Sequence, residues 1–150
     1  MGGLSRRLAD GSLVALDSCV FIYHVEAHQR YRSLTGELFQ GIQARHWQAV
    51  TSVVTLMELT VRPWQLGRED VAREYEWLIA HLPNLLLADI TRDIARWAAR
   101  LRAVHRLPPA DALQAATALH YRADALVTND RDMARLSSTL NVIMLDDVIG

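Results

Sequence analysis

The sequence predicts an α/β fold of three layers, in which helices cover both faces of a central parallel sheet of about five short strands. Short apolar runs of four or five residues alternate along the chain with longer segments of helical periodicity. These runs lack the polar alternation of half-exposed strands, which is typical of strands buried on both faces. The chain has 150 residues, of which 51% are hydrophobic, so it can bury one core of ordinary size.

The first half of the chain supplies two of the strands. Residues 13–16 are a short apolar run that follows Gly11 and Ser12, as expected for a buried strand. Further on, Ser52 can cap a helix, and Pro63 is expected to end that helix or turn the chain. In order, the predicted elements are a strand over 13–16, a helix over 31–45, a strand over 48–51, a helix from 53, and a helix over 69–81.

The second half of the chain supplies three more strands. Pro108 and Pro109 are a firm break, after which a new helix can begin because proline is well tolerated in a first helical turn. Asp89 or Thr91 caps the helix before this break. In order, the predicted elements are a strand over 85–87, a helix to about 105, a helix over 110–121, a strand over 125–128, a short helix over 130–137, and a strand over 142–145.

Composition limits where the protein acts and what it binds. No apolar run approaches the ~20 residues that span a bilayer, and two arginines near the start have no apolar segment behind them. We therefore expect a soluble cytoplasmic protein, with residues 1–12 as an N-terminal extension and residues 13–150 as a single domain. Cys19 is the only cysteine, which excludes an intrachain disulfide and a cysteine-based zinc site. The net charge of −1 argues against a simple cationic coat for nucleic acid.

Four acidic residues lie where the predicted strands end or the following helices begin. Asp17 follows the first strand, and Glu58 lies on the helix after the second. Asp111 is in the first turn of the helix after the double proline, and Asp130 follows the fourth strand. Carboxylates gathered at one edge of a parallel sheet repel each other unless a divalent cation compensates them. Mg²⁺ prefers such oxygen ligands, and two ions about 3.5–4 Å apart can activate water for phosphodiester cleavage.

Each of these acids also has an ordinary local explanation. Asp17 and Asp111 could cap or begin their helices, and Glu58 could occupy a surface position. The Asn-Asp pair at Asp130 favours a turn, and Asp132 competes with Asp130 for the fourth position. Both residues stay eligible. The four acids together, in this order, indicate a shared metal site more strongly than any one of them alone.

The residues around the acids resemble the motifs of PIN domains. The matching segments are residues 16–22 (LDSCVFI), residues 51–54 (TSVV) with Glu58, residues 111–118 (DALQAATA) and residues 127–132 (VTNDRD). The resemblance covers about residues 13–147, and small single-domain proteins of this family are mostly VapC-type toxins. It implies a PIN-like fold and a Mg²⁺- or Mn²⁺-dependent endoribonuclease. It also implies a protein that is usually dimeric and is held inactive by a cognate antitoxin.

The resemblance also assigns residues to the site by position. The active-site acids that it implies are Asp17, Glu58, Asp111 and Asp130. Ser18 or Thr128 could orient one of these acids by hydrogen bonding, and Asp132 is an additional or alternative ligand. The chain departs from the family pattern at Cys19 and Met133 and in the dozen residues before the first strand, which leaves fine substrate contacts open.

A mechanism follows from this assignment as a hypothesis. Asp17 and Asp111 hold a metal ion, and Asp130 holds it directly or through water. Glu58 binds the same ion or positions the attacking water. Because the nucleophile is water rather than the ribose 2′-hydroxyl, hydrolysis of RNA should leave a 5′-phosphate and a 3′-hydroxyl.

The sequence specifies substrate and partner contacts less closely. Arg131, beside the fourth motif, is the candidate contact for an RNA phosphate. The candidate platforms for base stacking are Tyr23, Trp47 and Trp64. Trp77 and Trp97 are assigned to the core from their helical spacing. Residues 52–81 could expose an apolar surface for an antitoxin helix, form a homodimer face, or belong to the core.

Other classes of protein fit the sequence less well. All sixteen basic residues are arginine, which excludes the lysine that receiver-like signalling domains use. Haloacid-dehalogenase-type phosphatases have a second aspartate two positions after the first, where this chain has Cys19, and the sequence contains no P-loop motif. Two alternatives to a toxin stay open: a PIN-like RNA-processing nuclease without an antitoxin, and a non-catalytic PIN-like binding module.

Overall fold

The computed structural model describes residues 3–149, and its centre is a sheet of five strands. The strands are β1 (Leu13–Leu16), β2 (Gln48–Ser52), β3 (Leu85–Ala88), β4 (Ala125–Thr128) and β5 (Val142–Met144). They are ordered β3-β2-β1-β4-β5, and every neighbouring pair is parallel. The predicted α/β class with a parallel sheet of five strands is therefore confirmed.

Helices connect the strands and cover both faces of the sheet. They are α1 (Gly3–Arg7), α2 (Ser18–Val25), α3 (Arg32–Gln43), α4 (Val53–Gln65), α5 (Glu69–His81), α6 (Arg92–His105), α7 (Pro109–His120) and α8 (Leu145–Val148), with a 3₁₀ helix over Arg131–Leu136. The predicted caps Ser52 and Thr91 accept hydrogen bonds from the backbone N–H groups of Val54 and Ile94. Within residues 3–149, no helix combines the length and the apolar character needed to cross a membrane.

The strands contribute to two hydrophobic cores, one on each face of the sheet. In β1, Val14 and Leu16 belong to the core formed with α2, α3 and α5, whereas Ala15 belongs to the core formed with α6 and α7. A strand with apolar neighbours on both sides needs no polar residues, which explains the missing alternation in the sequence. Leu4 and Leu8, which come before β1, are buried in the first core.

Some helices and element ends differ from the prediction. The pattern does not predict α1, α2 or α8, because helices of 5, 8 and 4 residues are too short to show a clear period. The expectation that Pro63 ends its helix is wrong by two residues. Pro63 is buried inside α4, where it cannot donate one helical hydrogen bond, and the helix continues for two more residues to Gln65. β5 ends one residue early, since Leu145 begins α8.

Two tryptophans lie outside the core that helical spacing assigned to them. Trp77 and Trp97 are 61% and 40% exposed, so this prediction is wrong. The buried stripe of α6 contains Ile94 and Leu101, and Trp97 lies beside it. Trp77 stacks on His81 with ring centroids 4.4 Å apart, on the outer side of α5. Spacing identifies an apolar stripe, but it does not say how far around the helix the neighbouring elements reach.

Trp47 is buried and cannot serve as the stacking platform for RNA that its sequence position suggested. It is 3% exposed, and its indole lies so close to Gly41 of α3 that a side chain there would overlap the ring. Its Nε1–H donates a hydrogen bond of 3.3 Å to the Leu8 carbonyl. Trp64, by contrast, is 55% exposed and stays a candidate.

Candidate active site

Asp17 is buried at the C-terminal end of β1, where the chain passes from the strand into α2. It is the N-cap of α2, and its Oδ1 accepts a hydrogen bond of 2.8 Å from the Ser18 N–H. Its Oδ2 accepts a hydrogen bond of 2.6 Å from the Thr128 hydroxyl. Burial raises the pKa of Asp17 above its usual value. The two hydrogen bonds oppose this increase, and the negative charges of Glu58 and Asp130 add to it.

Thr128 and Ser18 each contact two of the acidic residues. Thr128 is the last residue of β4 and is fully buried, and its hydroxyl oxygen also accepts a hydrogen bond of 3.0 Å from the Asp130 N–H. The Ser18 hydroxyl donates a hydrogen bond of 2.9 Å to Glu58 Oε1 on α4. Side-chain contacts therefore join the ends of β1 and β4 to α4 around Asp17.

Three further carboxylates form a cluster, which we call the aspartate cluster: Asp111, Asp130 and Asp132. One oxygen from each lies within 4.8 Å of the others, and all three residues are half-buried. Asp111 is in the first turn of α7, and Asp130 caps the 3₁₀ helix by accepting a hydrogen bond of 2.9 Å from the Asp132 N–H. The pKa of Asp111 is raised to about 8, first by burial, then by a hydrogen bond with the Asp130 carboxyl, and then by the surrounding negative charges.

The chemistry of the aspartate cluster fits a hard divalent cation. All of its candidate ligand atoms are carboxylate oxygens, which Mg²⁺ and Mn²⁺ prefer. A cation would also offset the surrounding negative charges, which add to the effect of burial on the pKa of Asp111. Within the described residues, Asp17 and Glu58 fall outside the group that meets the 4.8 Å distance. They adjoin it through Thr128 and Ser18.

The arrangement of strands and acids can be compared with known proteins. The model of one family, the PIN domain, matches residues 14–138. The chain belongs to the PIN domain family. The comparison with curated proteins found no significant match.

Solved structures share the fold of this PIN domain at low sequence identity. A toxin–antitoxin complex from Klebsiella pneumoniae contains a chain that is 22% identical with a TM-score of 0.63, and the match covers 88% of this chain and 97% of that one. VapBC2 from Rickettsia felis, bound to a DNA fragment from its promoter, gives 17% identity and a TM-score of 0.66, with 88% and 98% covered. Mycobacterium tuberculosis VapC20, a Sarcin-Ricin loop cleaving toxin, gives 13% and 0.67, with 85% and 95% covered.

The two charged residues after Asp130 differ in their surroundings within this PIN domain. Asp132 pairs with Arg135, one turn further along the 3₁₀ helix, at 3.0 Å between Oδ1 and an Nη atom. The Arg135 guanidinium also donates hydrogen bonds to the carbonyls of His105 and Arg106 at the end of α6. Arg131 is exposed, and its contact with an RNA phosphate stays a prediction.

Asn129 is a contact residue of the site that sequence reasoning missed. Its Oδ1 accepts a hydrogen bond of 3.1 Å from the Asp146 N–H at the start of α8, and its Nδ2 donates one of 3.3 Å to the Tyr23 hydroxyl on α2. Tyr23 also stacks on Tyr31 with ring centroids 4.4 Å apart. Asn129 therefore fixes the short segment that carries Asp130. Its position between Thr128 and Asp130, two proposed site residues, is the signal in the sequence that could have identified it.

Proposed function

We propose that this PIN domain is a metal-dependent endoribonuclease and the toxin component of a type II toxin–antitoxin pair. The observation that carries the proposal is the aspartate cluster next to the buried Asp17. Burial, a hydrogen bond with Asp130 and the surrounding negative charges together raise the pKa of Asp111 to about 8, and a bound cation would offset those charges. Mg²⁺ or Mn²⁺ is the proposed cofactor.

The proposed roles follow from where each carboxylate lies. Asp17 and Asp111 would hold the ion, Asp130 would hold it directly or through water, and Asp132 would be an additional ligand. A divalent ion bound there would make its bound water more acidic and would offset charge that develops on the scissile phosphate. Glu58, whose Oε1 accepts the Ser18 hydrogen bond, keeps Oε2 to bind the ion or to orient the attacking water. Thr128 holds Asp17 in a fixed orientation.

RNA is the proposed substrate because of the family resemblance and because one structural neighbour is named a Sarcin-Ricin loop cleaving toxin. The test is a purified protein, a single-stranded RNA, and Mg²⁺ or Mn²⁺ at millimolar concentration. We expect products with a 5′-phosphate and a 3′-hydroxyl, and almost no cleavage by Asp17→Asn, which should still fold. Cleavage by Asp17→Asn at the wild-type rate, or a 2′,3′-cyclic phosphate among the products, contradicts the proposed mechanism.

An antitoxin is the proposed partner, and α4 offers a surface for it. The exposed apolar residues on one face of α4, the α4 patch, are Met57, Val61 and Trp64. Their exposure excludes a place in the core for these three residues. A groove of about 450 Å³, whose lining includes Glu58, Leu66 and Tyr75, lies against another face of α4, so a helix bound there would adjoin Glu58. The neighbours from Klebsiella pneumoniae and Rickettsia felis are a toxin–antitoxin complex and a VapBC complex.

The antitoxin and a proposed homodimer can be tested separately from the nuclease. A small open reading frame directly upstream that encodes a DNA-binding protein, and its co-purification with this chain, support the toxin role. Loss of that co-purification in Trp64→Ala, with the thermal stability unchanged, places the partner on the α4 patch. If Trp64→Ala instead turns a dimer into a monomer, the patch is the homodimer face.

Two alternative functions have distinct outcomes in these experiments. An RNA-processing nuclease without an antitoxin cleaves RNA in a metal-dependent way but has no adjacent antitoxin gene. A non-catalytic PIN-like binding module binds RNA and leaves it intact at any metal concentration. The density of carboxylates favours catalysis, because a module that only binds RNA gains nothing from a repulsive acidic cluster.

A further inference from the structure

A chain of buried hydrogen bonds runs beneath the acidic residues. The Gln114 amide Nε2 donates to Thr55 Oγ1 at 2.8 Å, and Thr55 Oγ1 lies 2.6 Å from Thr51 Oγ1. The Thr51 hydroxyl donates to the Leu16 carbonyl at 2.8 Å. The side chains of Gln114, Thr55 and Thr51 are at most 2% exposed. This series of hydrogen bonds therefore crosses the interior from α7 through α4 and β2 to β1.

The direction of every bond in this chain follows from the number of protons. A threonine hydroxyl has one proton to donate. Thr51 gives its proton to the Leu16 carbonyl, so the bond between the two threonines must use the proton of Thr55. Thr55 then accepts from Gln114, which has protons to give. Each hydroxyl donates once and accepts once, and the series of hydrogen bonds ends on a backbone carbonyl.

Three residues of this hydrogen-bond series lie close in the sequence to three of the acids. Gln114 follows Asp111 by three residues on α7, and Thr55 precedes Glu58 by three residues on α4, so each lies one helical turn from an acid on the same helix face. Leu16, whose carbonyl receives the last bond, directly precedes Asp17. The hydrogen bonds thus join the three elements that carry Asp111, Glu58 and Asp17.

The stability of the fold does not by itself require polar side chains at the buried positions of Gln114, Thr55 and Thr51. Buried polar side chains cost free energy unless each is satisfied, and apolar side chains of the same shape can fill such a space as well. Directional bonds of 2.6–2.8 Å fix the relative position of two helices and a strand more closely than apolar contacts, which tolerate sliding.

We propose that Gln114, Thr55 and Thr51 are positioning residues that set the mutual placement of Asp17, Glu58 and Asp111, and through it the affinity of the site for a divalent cation. This inference rests on the proposed function. The three residues act through the acids and touch neither the ion nor RNA. Their removal should therefore weaken cation binding and the chemical step, and should leave binding of RNA close to the wild-type level.

The test uses Thr55→Val, which keeps the shape of the side chain and removes the hydroxyl, and Thr55→Ser, which restores it. Thr60→Val is the matched control, because Thr60 is also buried on α4 but, among residues 3–149, its hydroxyl forms its one hydrogen bond with the Leu56 carbonyl on the same helix. The readouts are the Mn²⁺ dissociation constant by calorimetry, the melting temperature, and kcat and KM for RNA cleavage.

We expect Thr55→Val to raise the Mn²⁺ dissociation constant by about tenfold or more, as residues that orient metal ligands do. We also expect kcat to fall while KM stays near the wild-type value. Thr55→Ser should recover both quantities, and Thr60→Val should leave them unchanged whatever it does to the melting temperature. Gln114→Met, which removes the amide at similar volume, should repeat the effect and replaces Thr55→Val if that variant does not fold.

Two failures of this experiment can be told apart. Thr55→Val and Gln114→Met could bind Mn²⁺ as tightly as the wild type and only lower the melting temperature. In that case the buried hydrogen bonds serve stability alone, and the inference is overturned while the proposed function stands. If the wild type itself binds no Mn²⁺, the proposed function is contradicted and the inference falls with it. If the wild type binds Mn²⁺ and cuts no RNA, the proposed nuclease fails, and the affinities of the variants still decide the inference.

Discussion

The Thr128 hydroxyl donates a hydrogen bond of 2.6 Å to Asp17 Oδ2, although the two residues are 111 positions apart in the sequence. The bond is possible because β1 and β4 are neighbouring parallel strands that end at the same edge of the sheet. The same hydroxyl oxygen accepts a hydrogen bond from the Asp130 N–H. One threonine therefore sets the orientation of Asp17 and of the segment that carries Asp130.

Thr128→Val tests the importance of this bond. The substitution keeps the volume of the side chain, but it removes both the donor for Asp17 and the acceptor for Asp130. A hydrogen bond to a charged group is worth about 1.5–3 kcal/mol, so we expect RNA cleavage to slow about 10- to 100-fold. Thr128→Ser retains the hydroxyl and should cleave RNA at close to the wild-type rate. Equal rates for the valine and serine variants contradict the role given to Thr128.

The raised pKa of Asp111 gives the metal-free protein a specific dependence of stability on pH. Because its pKa is about 8 in the folded protein and 3.8 in the reference state, folded Asp111 holds a proton at pH values where the unfolded chain has lost it. The contribution of this residue to stability is therefore complete below about pH 4 and is lost as the pH rises to about 8. Above that value both states are ionised, and repulsion within the aspartate cluster is at its strongest.

Asp111→Asn removes this titration. In the presence of EDTA we expect the variant to melt above the wild type at pH 8, by about 2–4 °C, which is the shift that about 1 kcal/mol produces in a chain of this length. The difference should shrink towards zero near pH 4, where Asp111 is protonated in the folded wild type. Melting curves at several pH values measure both quantities. If the wild type is more stable than Asp111→Asn at pH 8 without metal, the explanation of the raised pKa by burial and nearby negative charges is contradicted.

Asp130 and Asp132 can be separated by paired asparagine variants. The Asp130 carboxyl is hydrogen-bonded to Asp111 and its charge repels that of Asp17, whereas Asp132 already forms an ion pair with Arg135 at 3.0 Å. We expect Asp130→Asn to weaken Mn²⁺ binding by more than tenfold and Asp132→Asn to weaken it by less. The increase of the melting temperature with Mn²⁺ concentration reports these affinities. The opposite order would assign the fourth position to Asp132.

The sheet could be predicted from the sequence because apolar runs of about four residues, which alternate with longer segments of helical periodicity, are typical of buried parallel strands. Asp17 and Asp130 could also be placed near each other, because the carboxyl ends of parallel strands lie at the same edge of the sheet. The contribution of Asp132 to the aspartate cluster was less accessible. It depends on the tight 3₁₀ turn that Asp130 caps, which brings the two carboxylates together.

Other features depend on contacts that the sequence does not contain. The burial of Trp47 requires that Gly41 of α3 leaves room for its ring, and Gly41 alone reads only as a weak helix residue. The exposure of Trp97 depends on where α7 covers α6. The hydrogen bonds among Gln114, Thr55 and Thr51 join residues up to 59 positions apart, and only the four-residue spacing of Thr51 and Thr55 was visible in the sequence.

The most direct test of the proposed site is to measure RNA cleavage and Mn²⁺ binding in the same protein over one range of Mn²⁺ concentrations. If the aspartate cluster and Asp17 hold the ion that serves cleavage, the rate of RNA cleavage should reach half its maximum at the Mn²⁺ concentration that half-saturates the site. Asp111→Asn should shift both curves to higher concentration together. Cleavage that continues at the wild-type rate in EDTA, or Mn²⁺ binding that Asp111→Asn leaves unchanged, contradicts the central claim.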